Sequence, residues 1–215
     1  MTTEPMVTTV TDCDDHDQCD VLVVGSSVAY GQYATNNNSW VQQLAFMLKA
    51  RYNKTLVNIA VPGYTTVYAL RQLQIHIKIH GSRPRPPKYV IVSLSACNEG
   101  LGRCSTREIA QKFITHYLTH IHQLIKVIRC AGSTPIMCSV YPHQYYTALH
   151  KEVLYFIHDN MKKLDCIYID FLSALDDGQG HWKPNMAHDA GHPNDNGHRA
   201  MFEAAYRKLS LSLSI

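Results

Sequence analysis

Residues 21–25 read Val-Leu-Val-Val-Gly, and residues 89–94 read Tyr-Val-Ile-Val-Ser-Leu. Neither run alternates apolar with polar side chains. A strand built from either has two apolar faces and must be covered on both. The rest of the chain supplies the cover. Trp40, Leu44, Met47 and Leu48 recur at helical spacing behind a capping Ser39, which predicts a helix over Trp40–Tyr52. Thr66–His80 repeats the pattern. Residues 106–130 form the longest helical stretch, opened by the capping box Ser105-x-x-Glu108 and followed by Ala131-Gly132. Two more helices are expected over residues 148–164 and 197–209, and further strands over residues 56–60, 135–140 and 166–169. Five short strands separated by helices make βαβ units with right-handed crossovers. The expected fold is α/β: a single-domain, three-layer α/β/α arrangement around a five-stranded parallel sheet. At 215 residues the chain suits one such domain. No internal repeat is visible. Residues 1–19 read as a flexible tail and residues 20–215 as the domain.

One long connection remains, over residues 172–194. Loops of that length in a compact domain are usually functional. This one contains His188-Asp189-Ala190-Gly191-His192-Pro193-Asn194-Asp195. Pro193 disfavours helical backbone at His192, so the histidine precedes a helix that Asn194 or Asp195 can cap. In that turn Asp189 can reach one imidazole nitrogen and leave the other outward, as an orienter does for a general base. A hydroxyl partner stands far upstream, in Gly25-Ser26-Ser27, where the first apolar run ends. The C-terminal ends of parallel strands share one sheet edge. Ser27, the Val61-Pro62-Gly63 turn and the Ser95-to-Gly100 turn can therefore converge on the histidine loop. Acyl transfer needs donors aimed at a developing oxyanion. Candidates are the backbone N–H of Ser27, the N–H of Gly63, and the side-chain amide of Asn98.

Four separated blocks in this order resemble the SGNH (GDSL-type) hydrolase superfamily, over residues 20–209. Gly25-Ser26-Ser27 stands where that family has Gly-Asp-Ser. Residues 58–63 stand at its glycine block, Asn98 at its asparagine block, and Asp189-x-x-His192-Pro193 at its last block. The resemblance implies a flavodoxin-like fold and an esterase or lipase activity. It implies Ser27 as nucleophile, His192 as base and Asp189 as its partner, with Ser27, Gly63 and Asn98 as oxyanion donors. Ser26 departs from the family's aspartate, which points to different packing of this loop.

Other readings are less well supported. Ser95 shares the sheet edge with Ser27 but matches no family block, and Ser26 reads as a support for its loop. Cys97 reads as a small buried residue. His198 reads as a capping or packing residue, and His188 as pointing away from the site. The pairs His76/His80 and His116/His120 have the spacing of metal ligands. No carboxylate or cysteine stands in register with either, and no HExxH occurs, so they read as surface stripes; no metal or cofactor is expected. The ligand-rich run Cys13 to Cys19 falls in the expected tail. Tyr141 and His143, after the fourth strand, and Trp182, in the histidine loop, are candidate walls of an acyl or sugar pocket.

A net charge of +3 gives no argument for nucleic acid, and no apolar run approaches a membrane span. The basic cluster Arg83 to Lys88 is rich in proline and reads as a solvated loop. Seven cysteines, an odd number scattered through strands and helices, suit reduced thiols in a cytoplasmic protein. The expected partner is a small-molecule, sugar or lipid ester. The alternatives are an acyltransferase, a thioesterase, or an idle binding protein on the same fold.

Overall fold

The computed structural model describes residues 19–80 and 86–212. The expected tail, apart from residue 19, and Arg83 to Arg85 of the basic cluster lie outside these residues. Five strands, β1 (Val21–Gly25), β2 (Leu56–Asn58), β3 (Tyr89–Ser93), β4 (Thr134–Cys138) and β5 (Ile167–Ile169), form one parallel sheet in the order β2-β1-β3-β4-β5. Seven α-helices are described: α1 (Ser27–Tyr30), α2 (Trp40–Tyr52), α3 (Thr66–His80), α4 (Arg107–Cys130), α5 (Ala148–Lys162), α6 (Phe171–Leu175) and α7 (Asp195–Ser212).

The unalternating strands divide their side chains between two cores. Leu22, Val24, Val90, Val92 and Met137 face one side, where α3, α4 and α5 cover them. Val21, Val23, Ile91, Ile136 and Cys138 face the other, under α2, α6 and α7. This is the three-layer arrangement expected, and the strand order is the flavodoxin-like one. No described helix is long and apolar enough to cross a membrane.

Three local details depart from expectation. The cap of α4 is Thr106, whose hydroxyl accepts from the Ile109 N–H, so the Ser105 capping box does not form. The chain enters one residue later, and Glu108 pairs with Lys112 at 2.7 Å instead. The long connection is interrupted at its start by α6, whose single turn is too short to show periodicity. Asp170 caps it by accepting from Ser173 N–H at 3.0 Å. The third is α1, also one turn long.

β1 and β3 approach too closely at their ends for a side chain. A Cβ on Gly25 would lie 2.4 Å from the Ser93 carbonyl oxygen and 2.6 Å from the Ala29 Cβ. Neither backbone nor buried methyl can step aside. We expect Gly25→Ala to destabilise the fold by about 1–3 kcal/mol, as overpacking of a rigid interior does. Urea melts would read this, and an unchanged midpoint would refute the contact.

Candidate active site

The strand order reverses between β1 and β3, because successive connections from these two neighbours leave toward opposite edges. The crevice at their C-terminal ends is where an open α/β sheet binds its ligands. Ser27 follows β1 into this crevice and Asn98 follows β3.

Ser27 is the first residue of α1, so its N–H has no helical partner. Asn58, buried at the end of β2, holds this helix in place. Its amide donates to the Ala29 carbonyl at 2.9 Å, and its carbonyl oxygen accepts from Ala60 N–H at 3.1 Å. Beyond β2 the chain stays paired to β1, Ile59 N–H donating to Val23 and Val61 N–H to Gly25. It then turns at Gly63, whose φ of +79° suits glycine. Among the described residues neither the Ser27 nor the Gly63 N–H is hydrogen-bonded within the chain. Asn98 donates one amide hydrogen to the Tyr64 carbonyl at 3.2 Å, which ties the β3 loop to the Gly63 turn. A side-chain amide has a second hydrogen to offer.

His192 comes from the other end of the chain. Its Nε2 lies 2.9 Å from Ser27 Oγ, and its Nδ1 lies 2.9 and 3.0 Å from the two oxygens of Asp189. A carboxylate only accepts, so Nδ1 carries a hydrogen and the neutral ring turns its lone pair to the serine. Asp189 Oδ1 also accepts from the N–H groups of Gly191 and His192, each at 2.8 Å. Partial burial works against the Asp189 carboxylate, but these N–H groups and the imidazole hold its pKa below the ordinary value. A hydroxyl, an imidazole and a carboxylate thus stand in series, the arrangement that activates an oxygen nucleophile.

Three contacts bring the last loop to the first. Asn194, not Asp195, caps α7, its side-chain oxygen accepting from Gly197 N–H at 3.1 Å. Asp195 instead takes the Thr35 N–H and hydroxyl at 2.9 and 2.6 Å, pinning the segment behind α1. His198 is fully buried and accepts from Trp40 N–H at 3.5 Å, with its other nitrogen 3.4 Å from the Gln32 carbonyl. Tyr33, at φ +65°, stacks on His188 at 4.2 Å between centroids and presents its edge to His192 at 5.3 Å. Tyr33 and His188 therefore brace the imidazole, a role that no spacing in the sequence signals.

Burial pushes the His198 pKa below its ordinary value of 6.5, against the pull of the Gln32 carbonyl and Asp195. Burial does the same at His143 and His158. The folded chain then binds fewer protons than the unfolded chain once the pH drops below the ordinary histidine value. This stability is complete above that value and is lost as the pH falls toward the folded pKa. Urea melts between pH 7.5 and 5 should show it, with a shallower slope in His198→Asn. An unaltered slope in that variant would contradict the assignment.

The proposed pocket walls fare differently. Tyr141 is 2% exposed and its hydroxyl is bonded to Ser93 Oγ beneath the sheet edge. Trp182 is 5% exposed, and its indole N–H donates to the Ala190 carbonyl at 3.0 Å. Both are core residues, because a large ring in this short-stranded fold fills space under the loops. Trp182 acts instead as a staple on the Asp189-to-His192 turn, together with Gln144 N–H on the same carbonyl at 2.9 Å. His143 does stand beside the site: a Cβ on Gly191 would lie 3.3 Å from its ring. Ser26 does not brace its loop by hydrogen bonding, since its buried hydroxyl has no hydrogen-bond partner among the described residues. Ser95 Oγ is turned to Cys97 N–H, at 3.2 Å.

Glu99 was not anticipated. Its carboxylate is 2% exposed, accepts from Thr66 N–H at 2.8 Å, and lies 3.1 Å from His116 Nε2.

Residues 23–200 match the profile of a family described as GDSL-like lipase/acylhydrolase. Among solved structures, the psychrotrophic esterase EstA from Pseudoalteromonas is similar at 20% identity and TM-score 0.65, over 91% of this chain and 100% of that one. A lipase from a goat rumen metagenome aligns at 15% identity and TM-score 0.72, over 89% and 97%. The acetylxylan esterase Axe2 from Geobacillus stearothermophilus aligns at 14% identity and TM-score 0.62, over 88% and 93%. At these identities the structures speak for the fold. No curated protein sequence matches the chain.

Proposed function

Because the chain belongs to the GDSL-like lipase/acylhydrolase family, we propose that it is a serine hydrolase of carboxylic esters, with Ser27, His192 and Asp189 as its triad. The observation that carries this reading is the continuous series from Ser27 Oγ through His192 to Asp189, with 2.9 Å at each link.

Ser27 Oγ attacks the ester carbonyl carbon as its proton passes to His192 Nε2. Asp189 stabilises the imidazolium and keeps its orientation without taking the proton. The carbonyl oxygen becomes an oxyanion that the Ser27 N–H, the Gly63 N–H and the Asn98 amide are suited to receive. His192 then returns its proton to the leaving alcohol as the ester C–O bond breaks. Water attacks the acyl-enzyme by the same route in reverse, releasing the acid and restoring Ser27. The substrate class is a small-molecule, sugar or lipid ester with a short acyl group, such as acetyl.

A fluorophosphonate probe followed by peptide mapping tests the reading. Covalent label on Ser27, together with turnover of p-nitrophenyl acetate, is the expected result. Absence of both in folded protein would favour an idle binding protein. Acyl transfer outpacing hydrolysis when acceptor alcohols are added would make the chain a transferase.

A further inference from the structure

His116 and His120 stand one turn apart on α4, a spacing that only pairs two imidazoles. The fold adds a carboxylate from another element, Glu99, in the loop after β3. Ligand atoms of Glu99, His116 and His120 all lie within 4.8 Å of one another. We propose that these three residues form a binding site for a divalent transition metal of the zinc class, separate from the ester-cleaving residues.

Three features support this beyond proximity. The His120 Nδ1 lies 2.8 Å from the His116 carbonyl oxygen. That oxygen can only accept, so Nδ1 carries a hydrogen and the neutral ring has its lone pair on Nε2. Metal-binding histidines are typically held this way, by a second hydrogen bond to a carbonyl or carboxylate. Glu99 is oriented likewise: the N–H and hydroxyl of Thr66, at 2.8 and 2.5 Å, hold its carboxylate. His116 already meets this carboxylate through Nε2 at 3.1 Å. In the metal-free state that nitrogen carries a hydrogen toward the carboxylate. On metal binding the ring changes tautomer through solvent, losing the Nε2 hydrogen and taking one on Nδ1, so that Nε2 gives its lone pair to the ion.

The donor set decides the class of ion. Two imidazoles and one carboxylate suit zinc and its neighbours, whereas calcium and magnesium take oxygen ligands. Closure requires small side-chain rotations, because tetrahedral ligands at about 2.0–2.2 Å from zinc lie closer together than 4.8 Å. His116 is 50% exposed, which leaves its ring room to turn. A shallow groove along α4, lined by Gln111, Lys112, Thr115 and Thr119, opens the two imidazoles to solvent. The nearby cation Lys112 is paired with Glu108 at 2.7 Å. Once filled, the site would clamp the β3 loop, which contains Asn98, to α4.

The full-length chain, titrated with cobalt(II) and then zinc(II), tests this. We expect a tetrahedral cobalt spectrum in the visible region, its loss on adding zinc, and a higher Tm with zinc. Metals that bind only the folded state raise its stability by mass action. His120→Ala and Glu99→Gln should each weaken binding by at least about tenfold. His120→Ala should leave p-nitrophenyl acetate turnover unchanged. Equal metal affinity in wild type and His120→Ala would overturn the proposal. A sulfur-to-cobalt charge-transfer band would also overturn it, assigning the ion to the chain's seven cysteines.

Discussion

Ser27→Ala is expected to lower kcat for p-nitrophenyl acetate by roughly 10⁴-fold or more, because members of a triad act as a unit. The fold should be unaffected. Gly31 and Gln32 bond to the Ser27 backbone carbonyl, not to its hydroxyl, and alanine keeps that carbonyl. The control is Ser26→Ala. Its hydroxyl is buried without a hydrogen-bond partner among the described residues, so its removal should leave turnover near wild type and the Tm unchanged or raised. The opposite pattern, an inactive Ser26→Ala and an active Ser27→Ala, would refute the assignment of the nucleophile. Chelators should not change the rate in either protein, since no proposed step uses a metal. That outcome is independent of whether the α4 site binds one.

The second large effect is expected at Asn98. An oxyanion donor acts as charge develops on the carbonyl oxygen, so its loss should fall on kcat more than on KM. Asn98→Ala should cost about 10²- to 10³-fold in kcat, or about 3–4 kcal/mol. Asn98→Asp should be at least as damaging near neutral pH, because an ionised carboxylate cannot donate and repels the oxyanion. Both variants also lose the 3.2 Å bond to the Tyr64 carbonyl. A melting curve therefore accompanies the kinetics, to separate a loosened loop from a lost donor. A near-normal kcat in Asn98→Asp would remove Asn98 from the oxyanion site.

Much of this was legible in the chain, and for identifiable reasons. Strands β1 and β3 show no alternation of apolar and polar positions, so the layer architecture follows from local pattern alone. Trp40–Tyr52 was readable to the residue because the Ser39 cap and the periodicity agree there, and Thr66–His80 was readable from its periodicity. The one-turn helices α1 and α6 are shorter than the period that would reveal them. Asp189 and His192 are three residues apart, so their pairing needs only a turn. Glu99 is the contrary case. It stands 17 residues before His116 along the chain, and nothing in the spacing signals that they touch. The topology that returns α4 across the β3 loop creates that contact. Tyr141 and Trp182 are a similar case, since the fold buries both. An aromatic side chain in a loop has no sequence mark that separates a pocket wall from a buried wedge.

The sequence by itself determined the alternation of strand and helix, the parallel sheet and the order of the four motif blocks. It did so because those features depend on short-range periodicity and steric limits such as those at His192-Pro193. Only the tertiary structure decided which side chains meet across 165 residues, as Ser27 and His192 do. Those meetings depend on how Asp195, His198 and Tyr33 lock the first loop to the last helix. Such contacts are set by packing in three dimensions, for which a linear pattern contains no distance.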